Sequence, residues 1–267
     1  MQGNNPYQQP GADVSAAPEA APLVVNAPRS RDIGAGWRWI SDAWRIFKSA
    51  WAQVFFGVVL MWLLSMAVQF VPILGLIAPA LLAPVLTVGI LVLAWKADEG
   101  QNPEVGDIFA GFKNKFGQLV LLGLSMLGLT MIAILLGIIL GMVVFSGSLG
   151  GFVTTMESLE AGQAHPDILM QLMLAGLVML ALMVPVMAAY WFAPALVFFG
   201  NQGIGDALVN SFKGCLKNIL PMFWYGVVAM LLVILAIIPL GLGLLILLPV
   251  LTVSYYSSFR DIYTDTL

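Results

Sequence analysis

Three carboxylates stand at matching places in the chain: Asp42, Asp107 and Asp206. Each opens a short segment of similar make-up: Ser41-Asp42 to Phe47-Lys48, Gly106-Asp107 to Phe112-Lys113, and Gly205-Asp206 to Phe212-Lys213. Gathered at one point, three carboxylates would hold a divalent cation or perform acid–base chemistry. Their positions argue for a plainer role. An acid at a helix start answers orphan N–H groups and meets the positive end of the helix dipole. Few other groups could react. The single cysteine, Cys215, excludes an internal disulfide and a multi-cysteine metal site, and it is not read as an acylation site. The single histidine, His165, excludes a two-histidine zinc motif. No spacing pairs a nucleophile with its base. No Asp or Glu lies within a long apolar run, where proton relays and ion-coupled transporters place them. No catalytic, cofactor-binding or metal-binding residue is assigned, no cofactor is expected, and an enzyme is not expected.

The elements that carry these residues are apolar. Sixty per cent of the chain is hydrophobic and 9% is charged, against about a quarter charged in a soluble domain. Uncharged stretches run between Lys48 and Lys96, Lys115 and Glu157, Asp167 and Asp206, and Lys217 and Arg260. A membrane-spanning helix needs roughly 20 apolar residues, so the first and last stretches each accommodate two. The expected fold is all-α: a polytopic membrane protein with spans near 50–70, 74–95, 119–145, 168–199, 219–238 and 244–257.

Repetition groups these spans. Pro84-Val85-Leu86-Thr87-Val88 recurs letter for letter at Pro249–Val253. Together with the recurring acidic openings, this predicts three tandem hairpin units near 41–100, 106–203 and 205–263, each preceded by a short amphipathic interfacial helix. In the first such helix Trp37, Ile40, Trp44, Phe47 and Trp51 fall on one face, a pattern suited to headgroup depth. Pro84, Pro185 and Pro249 predict three kinked helices whose kinks face protein. Pro194 adds a second interruption to the fourth span. Gly137 and Gly141 allow close helix approach within the monomer.

Residues 1–30 are rich in Asn, Gln, Pro and Ala and are expected to form a disordered cytoplasmic tail. They lack the basic start and apolar core of a signal peptide. Residues 31–267 form the membrane domain. All eleven Lys and Arg fall before the first span, between the second and third, between the fourth and fifth, or after the sixth. The positive-inside rule then places both termini in the cytoplasm.

One segment carries a resemblance. Tyr190-Trp191-Phe192-Ala193-Pro194-Ala195-Leu196-Val197, then Ser211 to Asn218, then Pro221 resembles an uncharacterised proteobacterial family of six-span inner-membrane proteins. Gly36 to Ile40 and Tyr256 to Ile262 are similar to it as well. More distantly, the layout is similar to the membrane domain of bacterial glycerophosphodiester phosphodiesterases, although no phosphodiesterase catalytic domain accompanies it here. The resemblance implies a multi-pass protein of the bacterial inner membrane. Two functions follow from this reading. One is a structural or accessory protein with interfacial helices on its cytoplasmic face. The other is a transporter or lipid-handling protein with a cavity between its units. The expected partners are the lipid bilayer and either a cytoplasmic protein or a second copy of the chain, and no nucleic acid.

Overall fold

The computed structural model describes residues 23–70, 74–144, 149–162 and 166–265. His165 and the connections expected at 72–73 and 146–148 lie outside them. The described residues are helical, with no strand. The order is α1 (Ala35–Ser49), α2 (Trp51–Gln69), α3 (Leu74–Asp98), a 3-10 turn (Val105–Phe109), α4 (Ala110–Lys113), α5 (Phe116–Val144), α6 (Leu149–Glu160), α7 (Pro166–Trp191), α8 (Ala193–Phe198), α9 (Ile204–Lys217), α10 (Ile219–Ile237) and α11 (Leu244–Tyr263).

Among the described residues, five stretches are long and apolar enough to cross a membrane: Trp51–Gln69, Ile77–Asp98, Phe116–Met142, Pro166–Phe198 and Ile219–Ile237. The sixth expected span, within α11, is not among them. Its second half carries Ser254, Ser257, Ser258, Arg260 and Asp261, which lower its hydropathy. That half is buried against protein: Ser254, Tyr256, Phe259 and Ile262 are enclosed.

The bundle is packed tightly at one end and loosely elsewhere. The second half of α3, from Val85 to Ala97, runs through the core, with Val85, Val88, Leu91 and Ala94 inaccessible to solvent. Close contact there is made possible by glycine. A Cβ on Gly89 would lie 2.0 Å from the Ile108 carbonyl oxygen, and one on Gly111 would lie 2.3 Å from the Val85 oxygen. The 3-10 turn and α4 therefore lie directly against α3. Away from this end the helices turn apolar faces outward, through Leu63, Leu124, Leu177 and Ile234 among others.

α3 and α11 run in the same direction, since Tyr256 and Arg260 near the end of α11 both reach Asp98 at the end of α3. α7 ends at the same face, where Phe192 packs on Tyr263 with ring centroids 5.4 Å apart. The break between α7 and α8 has a local cause. Pro194 has no N–H and cannot continue the helix, and it sits in the first turn of α8. The Ser211 hydroxyl on α9 bridges the gap, donating to the Ala188 carbonyl and accepting from the Phe192 N–H, each at 2.8 Å.

Four expectations are revised. The face of α1 that packs inward is Ala35, Gly36, Trp39, Ile40, Ala43, Ile46 and Phe47. Ile40 and Phe47 thus leave the expected five-residue face, while Trp37, Trp44 and Trp51 stay exposed, the orientation that headgroup contact requires. The small residues set this rotation: a Cβ on Gly36 would lie 2.5 Å from the Pro221 oxygen of α10. Second, residues 23–30 are not loose. The Asn26 N–H donates to the Tyr263 carbonyl at 2.7 Å and the Arg29 N–H to the Ile262 carbonyl at 3.0 Å. The Asn218 amide donates to the Arg29 carbonyl at 2.8 Å, and Lys217 to the Pro28 carbonyl at 3.0 Å. Third, Pro84 and Pro249 are buried but Pro185 is exposed, because α7 packs on α5, α8 and α9 and leaves its other side uncovered. Fourth, Asp42 lies in the middle of α1 and caps nothing.

Candidate functional site

The three matched carboxylates are not brought together. Asp107 completes a capping box with Glu104 and pairs with Lys96 at 2.6 Å. Asp206 lies in the first turn of α9. Both fit the helix-start role. Asp42 joins a different cluster. It lies 2.7 Å from Arg45 and 2.6 Å from Arg260, and both arginines also reach Asp98. The Tyr256 hydroxyl donates to Asp98 at 3.2 Å. This network ties α1, α3 and α11 together, and Asp98 is almost fully enclosed within it. Among the described residues, no group of His, Cys, Asp and Glu is arranged to hold a metal ion.

Lys115 has a structural task. Its backbone is left-handed, with φ 58°. Its ammonium donates to the Val197 and Phe198 carbonyls at 2.9 and 3.0 Å and to the Asn201 side chain at 2.8 Å. It thereby neutralises the C-terminal end of α8. Partial burial holds its pKa below the usual lysine value. Cys215 is buried on α9, with its thiol 3.4 Å from the Ala188 carbonyl. Burial pushes the thiol up to about 12, so it is neutral and unreactive at physiological pH.

The most distinctive feature lies deeper. A cavity of about 350 Å³ opens where the three proline-bearing helices converge. Thr87 and Ile90 of α3, Met187 and Trp191 of α7, and Thr252 and Tyr255 of α11 line it, with Met61 of α2 and Tyr225 of α10 completing the wall. Thr87 and Thr252 hold the same place in the repeated Pro-Val-Leu-Thr-Val segment. The wall is largely apolar, and its hydroxyls are in part already engaged. Thr252 donates to the Leu248 carbonyl at 2.8 Å, and Tyr225 and Ser254 share a hydrogen bond of 2.7 Å. Among the described residues, α7 has no extended packing on α10 or α11. Trp191 of α7 meets Tyr255 of α11 with ring centroids 6.3 Å apart, so the unsealed side lies between α7 and α10.

A second recess, of about 400 Å³, lies between α1 and α11 at the packed end. Arg38, Asp42, Arg45, Ser257, Arg260 and Asp261 are on its walls. A narrow gap of about 10 Å³ shares wall residues with both recess and cavity. Trp39 lines the gap and the recess, while Trp191, Tyr225 and Tyr255 line the gap and the cavity. The Trp39 and Tyr225 rings are 6.2 Å apart, and Phe192 stacks on Tyr255 at 5.9 Å.

Comparison with protein-family models, curated proteins and solved structures finds no match for this chain. Function must be argued from the site itself.

The sequence suggested a cavity between the units but not its walls. Thr87 lay within the repeated Pro-Val-Leu-Thr-Val segment, and the prolines marked a shared position. Convergence of three helices at one depth is a tertiary fact. The recess was hidden more fully, because its charges come from α1 and α11 at opposite ends of the chain.

Proposed function

We propose that this chain is a non-enzymatic, multi-pass protein of the bacterial inner membrane that shelters a lipid chain between three helical hairpins. The carrying observation is the apolar cavity at Thr87, Met187 and Thr252, unsealed between α7 and α10. An apolar cavity among membrane spans is filled by hydrocarbon at little cost, whereas water would find few partners there. In this reading α11 is the sixth span, with Leu244–Val253 in the hydrocarbon and its polar half held by protein. The units near 41–100, 106–203 and 205–263 are tandem repeats, and the packed end with its cations faces the cytoplasm. The resemblance to a six-span inner-membrane family agrees with this placement.

The accessory reading has its own support. Phe109, Phe112 and Phe116 form an exposed ladder at the packed end, with neighbouring rings 6.0 and 5.7 Å apart. They suit the membrane interface or a cytoplasmic protein resting on it.

Lipid retention tests the proposal. The protein purified in mild detergent should carry phospholipid close to one per chain by native mass spectrometry. Thr87→Trp, which fills the cavity, should remove that lipid while leaving helix content unchanged. Equal lipid in both proteins would refute the proposal.

A further inference from the structure

We propose that the recess between α1 and α11 binds the phosphate of a phospholipid whose acyl chain occupies the cavity. The inference rests on the cavity reading and adds the headgroup.

The first observation is the supply of guanidinium donors. Arg38, Arg45 and Arg260 line the recess with Asp42 and Asp261, and Asp32 and Asp98 pair with these arginines from beside it, so the charges balance and the uncommitted N–H groups are what remain for a ligand. Arg38 commits both Nη atoms to Asp32 and keeps Nε. Arg45 commits Nε and Nη2 to Asp42 and Asp98 and keeps Nη1. Both side chains are 55% exposed at the mouth. Guanidinium donors in a planar fork suit a phosphate better than a point cation would.

The second observation is independent of charge. Ser257 lines the recess, is 1% exposed, and its hydroxyl has no hydrogen-bond partner. A buried hydroxyl left unanswered costs free energy, and such groups call for an explanation. A phosphate oxygen in the recess would accept from it. A network serving only to fasten α1 to α11 accounts for the ion pairs but not for the idle hydroxyl.

The third observation is position. The recess and the cavity lie on either side of one aromatic wall: Trp39 borders the recess, and Trp191, Tyr225 and Tyr255 border the cavity. Along α11, Leu251 on the cavity and Arg260 in the recess are separated by roughly 13 Å at about 1.5 Å per residue. Headgroups lie just outside a hydrocarbon core about 30 Å thick. A phosphate at Arg260 therefore puts its acyl chains at the depth of the cavity.

The test compares three probes on delipidated full-length protein in detergent: dioleoyl phosphatidylglycerol, dioleoylglycerol with the same chains and no phosphate, and inorganic phosphate. Phosphatidylglycerol should bind at least about tenfold more tightly than dioleoylglycerol, the size of one charge-assisted hydrogen bond. Arg38→Gln and Ser257→Ala, neither of which removes a bond of the Asp98 network, should cut that preference several-fold. The outward-facing Gly117→Ala should keep it. Equal binding of the two lipids would overturn the headgroup site and leave the cavity reading intact. Failure of both lipids to bind would overturn both readings. Inorganic phosphate binding as tightly as phosphatidylglycerol would show a site for the free ion and overturn the lipid assignment.

Discussion

Asp42 and Arg260 lie 2.6 Å apart although 218 positions separate them in sequence. The contact closes the first amphipathic helix onto the last helix of the bundle. Asp98 is the hub, because Arg45, Tyr256 and Arg260 all converge on it. Asp98→Ala would leave two arginines short of a partner in a largely enclosed site. Breaking one side of such a cluster costs about 2–4 kcal/mol, at the lower end here because Arg45 reaches solvent. An earlier thermal transition in detergent is the expected result. An unchanged transition would mean that the network contributes nothing to closure.

Two glycines give opposite expectations. Gly89 allows Ile108 to approach, and a Cβ there would meet the Ile108 backbone. Gly89→Ala should destabilise by about 1–3 kcal/mol through overpacking. Gly117 on α5 has open space around it, so Gly117→Ala should be neutral or mildly stabilising, by up to about 1 kcal/mol. Thermal unfolding of the two variants in the same detergent checks both. Equal effects would contradict the docking of the 3-10 turn against α3.

Cys215 offers a pH test. Burial raises the thiol to about 12, so its thiolate fraction stays small as pH rises from 7 to 9. Iodoacetamide should modify the folded protein slowly at both pH values and the unfolded protein readily at pH 9. Rapid labelling of the folded protein at pH 9 would place the thiol outside the α9–α7 contact.

Much of the fold was legible in the sequence because membrane spans advertise themselves by length and apolarity. α2, α5 and α10 lie within a few residues of their expected bounds, and Pro194 forecast the break before α8. Facing was legible only in part. Trp37, Ile40, Trp44 and Phe47 share a helical face by period, yet the bundle buries Ile40 and Phe47 together with Gly36, Trp39 and Ala43 and leaves the two tryptophans outside. Periodicity weights large apolar groups, whereas close helix packing rewards small ones. The end of α11 was also obscured: Ser257 and Ser258 read as the close of a span, but the helix continues to Tyr263 because protein encloses its polar half.

Topology gives a further prediction. Reporter fusions at both termini should read cytoplasmic, and a fusion near Glu160 should read external, since every lysine and arginine lies on the cytoplasmic side of the proposed threading. A C-terminus that reads external while the N-terminus reads cytoplasmic would remove α11 from the set of spans.

The central claim, that a lipid chain enters between the three proline-bearing helices, is met most directly by photo-crosslinking. A phospholipid with a diazirine near the chain terminus should label the peptides containing Met187 to Trp191 and Leu251 to Tyr255. Thr87→Trp should abolish that labelling while labelling of the outer face of α5 persists. Labelling confined to the outer faces in the unmodified protein, or cavity labelling undiminished by Thr87→Trp, would contradict it.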